Sequence, residues 1–233
     1  MEMTRNLSDI HVMLRKTLDG DGILDIQAVP CDGTNSILNG SIEIMPLWQL
    51  NEERLRRGTG VPVDLGLTVL WSSRNVGAPS GEQPGYYVGW GDETGRNTTT
   101  NSDDYPSSEP PTDISGTEHD IARDLWAETW RIPTKKELEE LLQKCQWIWT
   151  AINGVPGFQV IGRTGNSIFL PAAGSRFGTD YEDAYYYGRY WTSELCQNEP
   201  RRAYLLEISQ QCPEVITMAR HIGMSIRPVL DKK

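Results

Sequence analysis

The stretch Pro133-Thr134-Lys135-Lys136-Glu137 constrains the fold more than any other in the chain. A threonine followed three residues later by glutamate is a capping box. The hydroxyl and the carboxylate each accept a backbone N–H that a helix start leaves without a partner. Pro133 cannot continue the strand-like Thr129-Trp130-Arg131-Ile132 that leads into it. Beyond the box, Leu138, Leu141, Leu142 and Cys145 fall at i, i+3, i+4 and i+7, one apolar stripe. A strand therefore stops and an amphipathic helix begins, with one face to bury. Cys145 sits on that stripe and reads as a small, inert hydrophobe. Thr117-Glu118-His119-Asp120, a box with Asp in place of Glu, announces a shorter helix carrying Ile121, Leu125 and Trp126. That reading puts His119 in a first helical turn.

β-prone text flanks this helical pair. "HVMLRKTL", "GILDIQAV" and "SIEIMPLW" are separated by turn formers, and "VDLGLTVLWSSRNVG" follows as a strand pair. Asp19-Gly20-Asp21-Gly22 reads as a hairpin turn, because the other ligand positions of a calcium loop are missing. "FQVIG", "SIFLPAAG", "YYYGRYWTS", "RAYLLEIS" and "MSIRPVL" complete the set. Strands on both sides of two helices mean α+β with a mainly antiparallel sheet, not alternating βαβ units. The Gly-rich joint at Gly58 and Gly60, after a polar helical turn with Arg54, Arg56 and Arg57, divides a β-rich leader (1–60) from the main domain (61–233). The polar segment "GRNTTTNSDDYPSSEPPTDISG" reads as a surface loop, with Asp103-Asp104 solvated and the sequon at Asn97 coincidental.

Composition excludes several classes. The 233 residues carry a net charge of −10, from 32 acidic and 22 basic side chains. Such a field repels phosphate backbones, so no nucleic-acid partner is expected. No run approaches the roughly 20 apolar residues of a membrane helix, so no membrane insertion is expected. No signal-peptide pattern opens the chain. The four cysteines, Cys31, Cys145, Cys196 and Cys212, lack zinc spacing. His11, His119 and His221 are scattered, and no P-loop, G-x-S-x-G or H-E-x-x-H occurs. No catalytic residue, no metal site and no cofactor is expected.

Six phrases occur in one order: "VDLGLTVLWSSRNVGA" (63–78), "YYVGWGDET" (86–94), "WRIPTKKELEELLQKCQWIWT" (130–150), "GNSIFLPAAGSRFGT" (165–179), "YYGRYWTS" (186–193) and "GMSIRPV" (223–229). They resemble the Fibrobacter succinogenes major paralogous domain, abundant in Bacteroidetes, over roughly residues 61 to 230. The resemblance implies a C-type lectin-like fold, in which two helices brace a small twisted sheet. That fold is shared with formylglycine-generating enzymes and with the variable proteins of diversity-generating retroelements. Fold alone does not assign function. The calcium-lectin motifs are absent: Asn198-Glu199-Pro200 is out of order, Gln83-Pro84 lacks its acid, and no Trp-Asn-Asp exists. The segments around Cys196 and Cys212 do not resemble those of the oxidase. The two cysteines read either as a disulfide facing across an antiparallel ladder or as free thiols.

What remains is a binding face between Asp180 and Ile222. "DYEDAYYYGRYW" is rich in tyrosine, which gives large contact area at low entropy cost. Tyr187, Tyr190 and Trp191 match the family's pattern and read as core. The expected ligand-binding residues are Tyr181, Tyr185, Tyr186, Glu194, Gln197, Asn198, Glu199, Arg201, Arg202, Glu214, Ile216 and His221. The expectation is a non-enzymatic protein, exposed on a cell surface or virion, that binds a protein or glycan and can be retroelement-diversified. The leader would anchor it or make it a homo-oligomer. A structural or adhesin-like subunit is the alternative, and an oxidase relative the third.

Overall fold

The computed structural model describes three strands between Ile10 and Ser41, and residues 59–232 apart from 93, 96, 102–104, 106–110, 127 and 128. The turn at Asp19-Gly22, Cys31, the arginines at 54–57, Gly58 and Asp103-Asp104 lie outside the described residues. The chain divides into two compact units, Met1–Asn51 and Glu52–Lys233.

In the first unit, β1 (Ile10–Met13), β2 (Asp25–Pro30) and β3 (Leu38–Ser41) form an antiparallel sheet in that order. The third strand lies ahead of most of the apolar run "SIEIMPLW" expected to supply it.

Among its described residues, the second unit is built from small antiparallel sheets and two short helices, an α+β arrangement. One sheet has the order β4-β5-β15-β6: β4 (Pro62–Val63), β5 (Val69–Ser72), β15 (Val229–Asp231) and β6 (Trp130–Arg131). Helix α1 (Ile121–Trp126) precedes β6, and α2 (Lys135–Lys144) follows it. The strands β7 (Gln146–Ile152), β8 (Val155–Ile161) and β9 (Ser167–Pro171) form a meander. A two-stranded hairpin of β10 (Ser175–Phe177) and β11 (Asp180–Glu182) comes next. The last sheet is β12 (Tyr187–Leu195), β13 (Arg202–Ser209) and β14 (Pro213–Ala219).

The capping box forms as expected. Glu137 N donates to Thr134 Oγ1 at 3.3 Å, and Thr134 N donates to Glu137 Oε2 at 2.8 Å. Leu138 and Leu141 are buried, and Leu142 and Cys145 pack beside them. The first helix starts differently from the expectation. Its cap is Asp120, whose Oδ1 accepts from Ala122 N (3.0 Å) and Arg123 N (3.3 Å). Its Oδ2 accepts from Gly116 N (2.8 Å) and Ile132 N (2.9 Å), so one buried carboxylate also binds the strand before α2. Thr117 and His119 belong to the turn ahead of the helix, because Asp120 supplies the acceptors a first turn needs.

The β12–β13 ladder explains the core. Tyr190 pairs with Leu206, and Trp191 with Leu205. Successive side chains point to opposite faces, so Tyr190, Leu206 and Ile208 join one apolar cluster with Trp71, Leu138, Leu141 and Leu170. Trp191, Leu205 and Ala203 join a second, with Val88, Trp90, Ile114 and Ile132. A strand buried on both faces reads as a continuous apolar run. The polar segment expected as a surface loop contributes to this core. Ile114 is fully buried, and Tyr105 is buried with its hydroxyl donating to Trp90 O at 2.9 Å.

Arg227 is buried between these clusters. It donates to Asn75 Oδ1 (2.7 Å), Ser72 O (3.1 Å) and Phe169 O (2.8 Å). Burial lowers its pKa to about 10, so it is charged at neutral pH. Replacing it with methionine, which keeps the length and removes the donors, strands several buried acceptors. Arg227→Met should lower the unfolding free energy by about 3 kcal/mol or more in a urea titration, and Arg227→Lys should not restore it.

Candidate binding face

Between β9 and β12 the chain must turn back tightly. Gly174, at φ 72°, permits it, since a Cβ there would lie 2.2 Å from Glu182 O. The next turn, Asp183 to Tyr186, has no glycine, yet Asp183 and Tyr185 take φ of 59° and 72°. A left-handed tyrosine costs on the order of 1 kcal/mol or more, and the surroundings must hold it. They do. Tyr185 N donates to Ala172 O (2.8 Å), and Tyr186 N and Tyr187 N donate to Asp183 O (3.1 and 3.0 Å). The Asp183 carboxylate accepts from Arg189 Nη1 at 2.8 Å, while Arg189 Nε donates to Glu207 at 2.7 Å. Arg189, itself buried on β12, thereby clamps the turn to the central sheet.

The clamp presents tyrosines to solvent. Tyr181, Tyr185 and Tyr186 are 66%, 61% and 74% exposed, as expected from the sequence. Tyr187, expected in the core, is 38% exposed, because the buried run of β12 begins one residue later, at Gly188. Tyr181 meets Tyr87 edge to face, ring centroids 5.0 Å apart. Burial pushes the Tyr87 phenol up to about 12, with Tyr181 and Tyr185 adding to the shift. Its hydroxyl donates to Ala173 O at 2.5 Å, which fixes the ring. Beside the pair opens a cleft of about 450 Å³ lined by Pro84, Gly85, Tyr86, Tyr87, Gly95, Arg176 and Tyr181.

The other expected residues lie elsewhere. Gln197, Asn198, Glu199 and Arg201 occupy the exposed β12–β13 connection. That connection meets the opposite end of β13 from the tyrosine turn: Leu195 pairs with Ala203, whereas Tyr187 pairs with Ser209. The eight residues of β13 separate the two ends by about 23 Å. Arg202 is half-buried and donates to Thr217 Oγ1 at 3.1 Å. Glu194 accepts from Lys135 N (3.2 Å) at the start of α2, so its position is better explained by helix capping than by ligand contact. Ile216 is partly buried against the second core cluster, and His221 is buried against Phe177. Glu214 is exposed on β14 opposite Glu207. A single face spanning 180–222 is thus divided, and only the tyrosines gather. Tyr87 and Arg176, which complete their group, were missed, since nothing in "YYVGWG" or "GSRFG" singles them out before the fold brings them together.

The disulfide alternative is overturned. Cys196 and Cys212 are free thiols: Cys196 follows β12 beside Arg202, and Cys212 precedes Pro213, which pairs with Ile208. The length of β13 stands between them, far beyond the reach of about 7 Å for bridged Cα atoms. Among the described residues, no group of three or more His, Cys, Asp or Glu side chains is placed to hold a metal ion, and no helix is long and apolar enough to cross a membrane. No family model, no curated protein and no solved structure matches the chain.

Two measurements follow from this geometry. Alkylation without reductant should modify both Cys196 and Cys212, the exposed Cys212 faster, with Cys145 slowest because burial raises its pKa. Mass spectrometry of the peptides checks this, and a 196–212 cross-linked peptide would contradict it. Burial also lowers the pKa of His221 below its ordinary 6.5. The unfolded chain then binds a proton where the fold does not. That contribution to stability is present above 6.5 and is lost as pH falls through the folded value. Urea titrations on either side of it should show the drop, and His221→Gln should flatten it.

Proposed function

We propose that this chain is a non-enzymatic ligand-binding protein on a C-type lectin-like scaffold, displayed on a cell surface or virion, with its contact face at Tyr87, Tyr181, Tyr185 and Tyr186. The observation that carries the reading is the strained, clamped turn that holds Tyr185 and Tyr186 in solvent beside the exposed Tyr181 of β11. An aromatic residue in a left-handed conformation survives where the neighbourhood over-determines it, and such strain gathers at functional sites. A fixed turn presenting tyrosines resembles a pre-organised paratope, which loses little entropy on binding. The α+β arrangement of two helices on small antiparallel sheets is compatible with the scaffold that the six sequence phrases resemble. Diversification by a retroelement fits the same place, since exposed turn residues change without disturbing the core.

Ile148 and Ile152, exposed on the edge strand β7, favour a second reading, a structural or adhesin-like subunit packed against neighbours. A stable oligomer that captures no ligand would support it.

The test is a screen of glycan and protein arrays with the native chain and with a Tyr181→Ser, Tyr185→Ser, Tyr186→Ser triple variant of native stability. Any ligand found should bind the variant at least about tenfold more weakly, as buried aromatic anchors require. Undiminished binding by the variant would remove this face from consideration. Sequencing the DNA around the gene tests diversification: a near-copy of its 3′ end should differ only at adenines, with mismatches in the codons of the exposed tyrosines.

A further inference from the structure

We propose that the cleft beside Tyr181 takes a carboxylated saccharide, a uronic or sialic acid unit, with the sugar against the tyrosines and its carboxylate drawn to Arg176; this rests on the binding face inferred above. The argument begins with strand register. In the β10–β11 hairpin, Arg176 pairs with Tyr181, Ser175 with Glu182 and Phe177 with Asp180. Cross-strand partners share a face, and the alternation of two puts the flanking pairs on the other. Arg176 and Tyr181 therefore face the cleft together, while the carboxylates of Asp180 and Glu182 are carried on the opposite side. None of the described residues lining the cleft is acidic.

Arg176 is only 8% exposed, and its guanidinium is held by carbonyls alone. Nη1 donates to Gly178 O (2.6 Å), and Nη2 to Tyr87 O (2.9 Å) and Asn97 O (2.8 Å). Three neutral acceptors orient the cation and leave its charge uncompensated. Asp92, on the neighbouring loop, accepts from Thr94 N and Asn97 N at 3.0 and 2.9 Å and from Thr94 Oγ1 at 2.7 Å; it keeps its charge but makes no bond with the guanidinium. A fixed positive charge under a wall of aromatic rings selects an anion that also has an apolar, hydroxyl-bearing body. A pyranose carboxylate has that combination. Nε and one Nη1 N–H make no bond with a described residue; they lie on different edges of the guanidinium, so a carboxylate would take a single charge-assisted bond from one of them. The volume, about 450 Å³, is within the range of roughly 300–1,000 Å³ typical of small-molecule sites. The rim is fixed as well: a Cβ on Gly85 would sit 2.2 Å from Val76 O, so the 84–87 loop keeps its close approach.

The net charge of −10 opposes anions at long range. At physiological salt the Debye length is about 8 Å, so the group within the cleft decides the sign of the interaction.

Calorimetric titration of the native chain at physiological salt with trigalacturonate and with sialyllactose, against maltotriose and lactose, tests this. At least one acidic sugar should bind, with its uncharged counterpart about tenfold weaker or worse. Which of the two acids binds identifies the source. Tyr181→Ala, a change at an exposed side chain, should weaken that binding about tenfold, and Arg176→Gln should abolish it. If Arg176→Gln fails to fold, the Tyr181 variant and the neutral-sugar comparison still decide. No acidic sugar bound at about 10 mM, equal binding of neutral sugars, or an unaffected Tyr181→Ala would each overturn the inference. A neutral or protein ligand lost by the triple tyrosine variant, with no acidic sugar bound, would overturn it while leaving the binding face in place.

Discussion

The guanidinium of Arg227 is the interaction on which the arrangement of the second unit depends. It is buried without a carboxylate among the described residues and is satisfied by oxygens from three separate places: the end of β5, the loop after it, and β9. A buried charge is expensive unless its donors are met, so the acceptors cannot drift apart without a cost of several kcal/mol. One cation thus fixes the relation of the β4-β5-β15-β6 sheet to the β7-β8-β9 meander. Its influence reaches the cleft. Asn75, which accepts from Arg227, donates to Pro84 O at 2.9 Å, and Ser225 Oγ donates to the same carbonyl at 3.0 Å. Pro84 begins the rim. The rim of the candidate site is therefore set from the core by way of one amide side chain.

Arg189 repeats the device closer to the surface, with the difference that its partners are acids. Asp183 and Glu207 flank it from the turn and from β13. Partners of opposite charge outweigh the burial of the guanidinium and raise its pKa. Arg227 specifies a core by binding neutral carbonyls, Arg189 holds a strained turn by ion pairing, and Arg176 lies between the two regimes. It is buried like Arg227 and, like Arg189, stands at an exposed aromatic turn, but it lacks the acid that Arg189 has.

Local signals in the sequence were enough where one residue decides one piece of backbone. The capping box at Thr134 and Glu137 forms, the stripe of Leu138 and Leu141 is buried, and "RAYLLEIS" is strand β13 residue for residue. The hairpin at Asn153-Gly154 had as clear a signal and was passed over: both residues take positive φ, the type I′ requirement, between "QWIWTAI" and "VPGFQVI". Asp120 could not be read in the same way. Two of its four partners are helix amides, but Ile132 lies twelve positions on, and only tertiary folding brings it there. The expected face over 180–222 divides for a related reason. Proximity in sequence grouped 180–222, whereas antiparallel pairing sends the tyrosine turn and the Gln197–Arg202 connection to opposite ends of β13. The same geometry decides between the two alternatives left open for the cysteines, in favour of free thiols.

The division of labour along β12 bears on what the turn can tolerate. From Gly188 to Leu195 nearly every side chain is buried and sets the fold, while the residues just before it are held by backbone bonds and by one aspartate. The side chain of Tyr186 thus contributes little to stability and is open to change for contact, while that of Tyr181 adds an edge-to-face contact with Tyr87. Tyr185 is different, because its φ favours glycine or asparagine. Keeping a tyrosine there costs conformational energy that a smaller residue would recover. A face under no demand except stability would relax that position, whereas a face that must present an aromatic ring at a fixed angle would keep it. The strained backbone at Tyr185 therefore argues for recognition more directly than the number of tyrosines around it does.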